Sequence, residues 1–253
     1  MSAEAPRKKI RWDLWMIVTV AISIFYLLFL LYPLISMLSK SVIGDDGGFT
    51  WKYFSKVFQK KYYQRAILGS LKISATVTLI TVLLATPLAY IMSTIKIKFA
   101  SALQILILVS SMSAPFIGAY AWIMLCVRNG TITNFLLNTF GIKLGDIYGF
   151  KGCVIVMSLQ LYSLVFMFVS GAFKNMDNSL IEASESLGCS GIRKIFKVVL
   201  PLILPTLLSG ALMVFMRTFA DYGTPMLIGE NYNTLPVVVY KEFLYEIGSS
   251  DGM

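Results

Sequence analysis

The sequence contains no histidine. That removes the commonest metal ligand and the commonest general base at neutral pH. Charge is scarce as well: 14% of the 253 residues are Asp, Glu, Lys or Arg, against 57% that are hydrophobic. A soluble domain carries about a quarter charged residues, so this composition belongs to a membrane protein. No G-x-x-x-x-G-K-[ST] stretch occurs, so the chain has no P-loop of its own. No nucleophile–base pair or helically spaced carboxylate pair falls within an apolar run, which argues against an enzyme. Cysteine is limited to Cys126, Cys153 and Cys189. A Cys126–Cys153 bridge across one loop is an open reading; buried small hydrophobes are the preferred one.

What the sequence has is apolar length. Uncharged runs cover 14–39, 73–95, 99–127, 152–173 and 198–216. Crossing a hydrocarbon core takes roughly 17–25 helical residues, and backbone groups in lipid must bond within their own segment. An all-α polytopic membrane protein follows, with five transmembrane helices at about 14–39, 69–95, 100–127, 152–173 and 198–220. The first, preceded by Arg7, Lys8, Lys9 and Arg11, is too long for a cleaved leader and reads as an anchor. The net charge of +9 sits beside the runs, so the bilayer is the expected partner and nucleic acid is not. With the N-terminus cytoplasmic, inner segments hold ten Lys/Arg in 49 residues and outer ones ten in 87. That asymmetry favours N-in, although Lys56, Lys60, Lys61 and Arg65 cluster on the outer side.

The organisation reads as a basic segment, anchor and outer loop over 1–64, then a transmembrane domain over 65–253. Aromatic residues Trp51, Tyr53, Phe54, Phe58, Tyr62 and Tyr63 predict an interfacial helix in the outer loop. The segment after Arg128 predicts turns around a short helix. No sixth run long enough to span follows Gly223, where LPVVVYKEFLYEI is amphipathic at best.

One stretch breaks the apolar pattern: IEASESLGCSGIRKIFKVVLPLILP, residues 181–205. Ser179 and Glu182 are spaced as a capping box, with Asp177 and Asn178 as further cap candidates. Gly188 stands where a left-handed residue would end a short helix. Ile192, Ile195, Phe196 and Val199 then mark one face of a second helix, with Arg193, Lys194 and Lys197 opposite as lipid-headgroup anchors. A connector lying on the membrane needs no cap, glycine corner or exposed acidic turn.

The spacing of Glu182, Ala183 and Ser184, then Gly188, then Val198, Leu200 and Pro201 resembles the EAA loop, E-A-A-x3-G-x9-I-x-L-P. That loop belongs to the type I, MetI-like family of binding-protein-dependent ABC importer permeases. Residues 69–90, 114–130 and 219–240 are similar to further parts of that family, and the last two to its ferric iron subgroup. The resemblance covers roughly 65–245, with Ser184 and Gly69 as departures from the usual Ala and Asn. It implies a cytoplasmic coupling loop over 177–198, in which Glu182, Ala183, Ser184 and Gly188 dock on a cytoplasmic ATPase dimer. It also implies an extracytoplasmic solute-binding protein, a second permease half or subunit, and a place in the bacterial inner membrane. ATP is then used by the partner, no cofactor is bound by this chain, and iron(III) is the expected cargo. Polyamine, thiamine and phosphonate permeases share the architecture. The family carries a further span after the region matching 219–240, which this chain is expected to lack.

For the solute path, Arg217 and Asp221 are the charged residues nearest a core run, four apart, with Tyr222 beside them. Charge at a membrane span is costly and tends to mark function, while a local i,i+4 ion pair is the plainer reading. Gly118, Ala119, Tyr120 and Trp122 suit either the path or helix packing, and Pro87, Pro115, Pro201 and Pro205 are placed within spans. An ion-coupled transporter or channel is the alternative of another class; the lack of mid-span acids argues against it.

Overall fold

A computed structural model describes residues 14–43, 48–95, 98–110, 115–126, 130–141, 148–189 and 191–250. Regular structure among them is helical, apart from one isolated antiparallel bridge, Ile43 to Phe49. The chain divides into two units, Met1–Lys61 and Tyr62–Met253.

The first unit holds α1 (Leu14–Val42) and the short α2 (Lys52–Gln59). α1 is 29 residues with a mean hydropathy of 2.6, ample to cross a bilayer. α2 falls where a short helix was expected, although Tyr62 and Tyr63, read as part of it, belong to the next helix. Arg7, Lys8, Lys9 and Arg11 lie outside the described residues.

The second unit opens with α3 (Lys61–Thr94), which starts eight residues before the expected span. At 34 residues it is roughly 50 Å long, more than a hydrocarbon core needs. Then come α4 (Ala100–Ser110), α5 (Pro115–Cys126), α6 (Thr131–Phe140) and α7 (Phe150–Lys174). After α8 (Asn178–Ser186) follow α9 (Gly191–Ala220), α10 (Gly223–Ile228) and α11 (Leu235–Ser250). Among the described residues, four helices are long and apolar enough to span: α1, α3, α7 and α9. Within the expected third span, 100–127, the described residues form two apolar helices, α4 and α5. Pro115 is the first described residue of α5, and residues 111–114 lie outside the described residues.

Both long helices that contain a π-helical turn carry a proline just after it. In α1 the π segment is Leu27–Leu31 and the proline Pro33; in α9 they are Ile195–Val199 and Pro201. Proline cannot donate to the carbonyl four residues back. Widening the preceding turn shifts the ladder, and the Leu200 N–H bonds Ile195 C=O instead. Pro201 and Pro205 therefore sit inside one continuous helix and do not begin it. The basic segment Gly191–Lys197 is its first part, with no separate second helix.

The core of this unit is assembled from stripes of mostly small side chains. α3 buries Ala66, Gly69, Ser70, Ile73, Ser74, Val77, Thr81, Ala85, Ala89 and Met92. α9 buries Val199, Ile203, Leu207, Gly210, Val214 and Thr218, a 3–4 spacing that keeps one face inward along the whole helix. α7 supplies Cys153, Val156, Met157, Val165, Phe166 and Val169 among others. All three cysteines are free: Cys126 and Cys153 are buried in the core and Cys189 is half-buried. Ile192 and Phe196 are exposed, so of the predicted apolar face Val199 alone is fully buried. Gly118 and Ala119 are buried in α5, the packing role of the two read for them.

The tail after Ala220 is packed. α10 buries Gly223, Thr224, Pro225 and Ile228, and α11 buries Val237 and Val238. Gly149 N–H donates to Ile228 C=O at 2.7 Å. The Tyr232 hydroxyl donates to Gly69 C=O at 2.7 Å, and Leu235 N–H to Ser70 Oγ at 2.7 Å, tying the turn before α11 to α3. A Cβ on Gly69 would stand 3.0 Å from Asn233 C=O, so the side chain is absent where the two backbones meet. Tyr232→Phe should lower stability by about 1 kcal/mol, the worth of one hydrogen bond. Gly69→Asn should lower it further by pushing the turn away. Thermal unfolding of the purified chain in detergent checks both.

Candidate functional site

Two regions carry the polar chemistry, one at the junction of α7 and α9 and one toward the far end of α9. The first is the loop between these helices. α8 is capped by Asp177, whose Oδ1 accepts from Ser179 N–H at 2.9 Å. The cap is therefore Asp177, and Ser179 is a donor to it and not the head of a capping box. The aspartate wins because its extended backbone (φ −72°, ψ 116°) aims the carboxylate back at the first free N–H groups. This bond holds the Asp177 carboxyl below the usual carboxylate range. Its contribution is complete above the ordinary aspartate range and fades as pH falls through the lowered folded value. The Ser179 amide resonance should titrate below the ordinary Asp range, near 3.9, and Asp177→Asn should remove that titration.

At its other end α8 closes in a Schellman motif. Cys189 N–H donates to Ser184 C=O at 2.9 Å and Gly188 N–H to Glu185 C=O at 2.9 Å. The motif needs a left-handed residue, and Gly188 supplies it with φ +79°. Gly191, at φ +61°, makes a second left-handed step into α9. Lys194 pairs with Glu185, so this lysine stitches α8 to α9 and is not one of the free headgroup anchors. Arg193 and Lys197 remain exposed. Glu182 and Ala183 are exposed, and Ser184 is half-buried with its hydroxyl donating to Ile181 C=O. Leu187, just before the glycine, is 88% exposed. The sequence puts Leu187 on one face of this helix with Leu180, Ala183 and Ser184, yet here it stands out as an apolar knob.

Beneath the loop, a cavity of about 580 Å³ lies between α7, α8 and α9, lined by Asn175, Asp177, Leu180 and Thr206 among others. An apolar groove of similar volume runs between α3 and α9 and includes Pro87, Tyr90, Phe173 and Phe196.

The second region lies where the far end of α9 passes the middle of α7. Twenty-six residues separate Gly191 from Arg217, roughly 39 Å of helix, about the thickness of a bilayer. Here Arg217, Asp221 and Tyr222 line one cavity of about 380 Å³ with Met157, Gln160, Leu161 and Ala220. The three predicted residues are thus brought together, but the i,i+4 ion pair is not formed. α9 ends at Ala220, and Asp221 leaves helical register with φ −74° and ψ 123°. Its Oδ1 accepts from Gly223 N–H at 2.9 Å. Tyr222 packs edge-on against Phe116, with centroids 5.2 Å apart, and lies 5.3 Å from the Tyr240 ring. Gln160 was missed in the sequence. Its signal was a lone amide in the run 152–173, and its Nε2 is buried without an acceptor. Among the described residues no three Cys, Asp or Glu side chains gather as a metal ligand set.

The chain matches the family model described as "Binding-protein-dependent transport system inner membrane component" over residues 6–249. It is 25% identical over 213 residues to a putative ferric transport system permease protein, FbpB 1, of Haemophilus influenzae, covering 84% of this chain and 34% of that protein. The chain thus spans about a third of the length of that relative. It is 29% identical to the spermidine/putrescine transport system permease protein PotB of the same organism, covering 90% of this chain and 82% of that one. The putative 2-aminoethylphosphonate permease PhnU of Salmonella typhimurium is 25% identical, with 96% and 85% covered. In structure, the chain is similar to one from a crystal structure of a bacterial alginate ABC transporter in complex with alginate pentasaccharide-bound periplasmic protein. The TM-score is 0.73 at 18% identity, over 92% of this chain and 84% of that one, which speaks for the fold. The chain belongs to the family of inner membrane components of binding-protein-dependent transport systems.

Proposed function

We propose that the chain is a permease subunit of an ATP-driven ABC importer, moving a small solute handed over by an extracytoplasmic binding protein. One observation carries this reading: α8 is a capped, exposed handle set between the ends of two long packed helices. Asp177 follows α7 after two residues, and Glu185–Lys194 bonds α8 to the start of α9. A push on α8 is therefore delivered to both helices. Such a lever suits a transporter whose ATP is hydrolysed by a separate cytoplasmic ATPase dimer, with Glu182, Ala183, Ser184 and Gly188 on the docking side. The loop is then cytoplasmic, and the Arg217 cavity lies toward the outer face. Docked handles moving with the ATPase would shift the bundle between inward-open and outward-open states.

A second permease half or subunit would complete the path. The ferric relatives support iron(III) as cargo, and the polyamine and phosphonate relatives support their own solutes at similar identity. Coexpression with an ATPase and reconstitution with a binding protein test the reading. Glu182→Lys should abolish both co-purification and ATP-dependent uptake. Uptake driven by an ion gradient without ATP would overturn it.

A further inference from the structure

We infer that the cavity between the far end of α9 and the middle of α7 is an oxyanion site, so that the solute carries a phosphonate, carboxylate or metal-oxyanion group. This rests on the reading of the chain as an importer permease. Two donors line the cavity that have no acceptor among the described residues. Arg217 sits one turn from the end of a membrane-spanning helix and forms no ion pair with Asp221, whose carboxylate accepts from Gly223 N–H. Gln160 contributes a buried amide nitrogen with no hydrogen-bond partner. A buried amide N–H left unpaired is costly, and the exposed Arg217 guanidinium beside it, at the end of a spanning helix, can reach the same acceptor. A planar guanidinium beside an amide matches the paired oxygens of a tetrahedral or carboxylate group.

The remaining lining accords with this. Met157, Leu161 and Ala220 are apolar, and Tyr222 adds an aromatic wall. Asp221 is the one acid among the lining residues. Bonded to the turn that starts α10, it opposes one charge only, which disfavours a polyanion without creating an acidic site for a polycation. At about 380 Å³ the cavity takes a small solute. Spermidine, with several ammonium groups, would face Arg217 unfavourably. Bare iron(III) would as well, whereas iron chelated by an oxyanion would be accepted.

The test uses the purified chain in maltoside micelles free of phospholipid, with calorimetric titration of 2-aminoethylphosphonate, molybdate and spermidine. At least one of the two oxyanions should bind and spermidine should not. Arg217→Gln should weaken that binding at least tenfold and Gln160→Leu several-fold, with Arg217→Lys recovering part of the affinity. Unchanged thermal unfolding would show that the variants are folded. A lipid phosphate is the rival source of the same chemistry. If short-chain phosphatidylglycerol binds through Arg217 and the soluble oxyanions do not, the solute assignment is overturned. Spermidine binding, no binding of either oxyanion, or binding indifferent to Arg217→Gln would overturn it as well. Because no ATPase is present, these outcomes are separate from the fate of the coupling-loop reading, which the Glu182→Lys experiment decides.

Discussion

Replacing Gly188 with valine should stop ATP-dependent uptake while leaving the chain folded and inserted in the membrane. Nothing lies within 4 Å of where a Cβ at this position would stand, so the substitution meets no neighbour. The penalty is conformational. At φ +79° an L residue is strained by about 1–2 kcal/mol, and a β-branched one by more. That is enough to shift the end of α8 away from the Schellman geometry roughly tenfold, since 1.4 kcal/mol is a factor of ten. The two bonds from Gly188 and Cys189 would open, moving Leu187 and the Glu185 side of the handle together. Uptake should follow the order Gly, Asn, Ala, Val, because asparagine tolerates the left-handed region best after glycine. Gly188→Asp tests a second feature, adding a negative charge beside Glu185 and Glu182, and should abolish ATPase association. The readouts are ATP-dependent uptake in proteoliposomes and co-purification of the ATPase. Normal uptake by the valine variant would show that α8 does not transmit force as a fixed body. Leu187→Asp offers an independent check: an apolar knob 88% exposed has no folding role to lose, so its effect should fall on docking alone.

The sequence made the long helices legible because hydropathy and helix formation agree along their length. α1 and α7 fall within a few residues of expectation, at Leu14–Val42 and Phe150–Lys174. Disagreement appears where one property changes and the other does not. Lys61, Arg65 and Lys72 conceal the first turns of α3, since a charged residue ends an apolar run without ending a backbone ladder. The same holds at Gly191–Lys197, which looked like a separate amphipathic helix and is the start of α9. The loop residues were legible for a different reason. Caps and glycine corners are local chemistry, so Asp177 and Gly188 declare themselves within a few positions. The cavity was only half legible. Arg217 and Asp221 stand out as charges, but Gln160 lies 57 positions away on another helix, and only packing of α7 on α9 joins them.

That packing sets the second large effect, at Gly210. A Cβ here would stand 3.2 Å from Phe168 Cβ and 3.4 Å from its Cγ. Both belong to the root of a side chain on a helix, so relief requires the two helices to part and cannot come from a rotamer change. Alanine brings two opposing terms. It gains about 1 kcal/mol of helix propensity over glycine, and the tight contact costs a comparable amount, so Gly210→Ala should stay within about 1 kcal/mol of the parent. Leucine adds three further carbons to a stripe already filled by Leu207 and Val214, where overpacking costs about 1–3 kcal/mol or more. In a bilayer the loss is sharper in kind, because close approach through small residues is what holds helices together once lipid replaces water. Gly210→Leu should therefore lower the thermal unfolding temperature in detergent and reduce membrane yield. Adding Phe168→Ala should recover part of the loss, since it removes the ring but leaves the Cβ at 3.2 Å. The same pair links stability to transport. α7 and α9 carry both the handle and the Arg217 cavity, so separating them at Gly210 should also uncouple α8 from the outer end. A Gly210→Leu chain that kept its unfolding temperature and full uptake would show that the two helices do not move as one packed body.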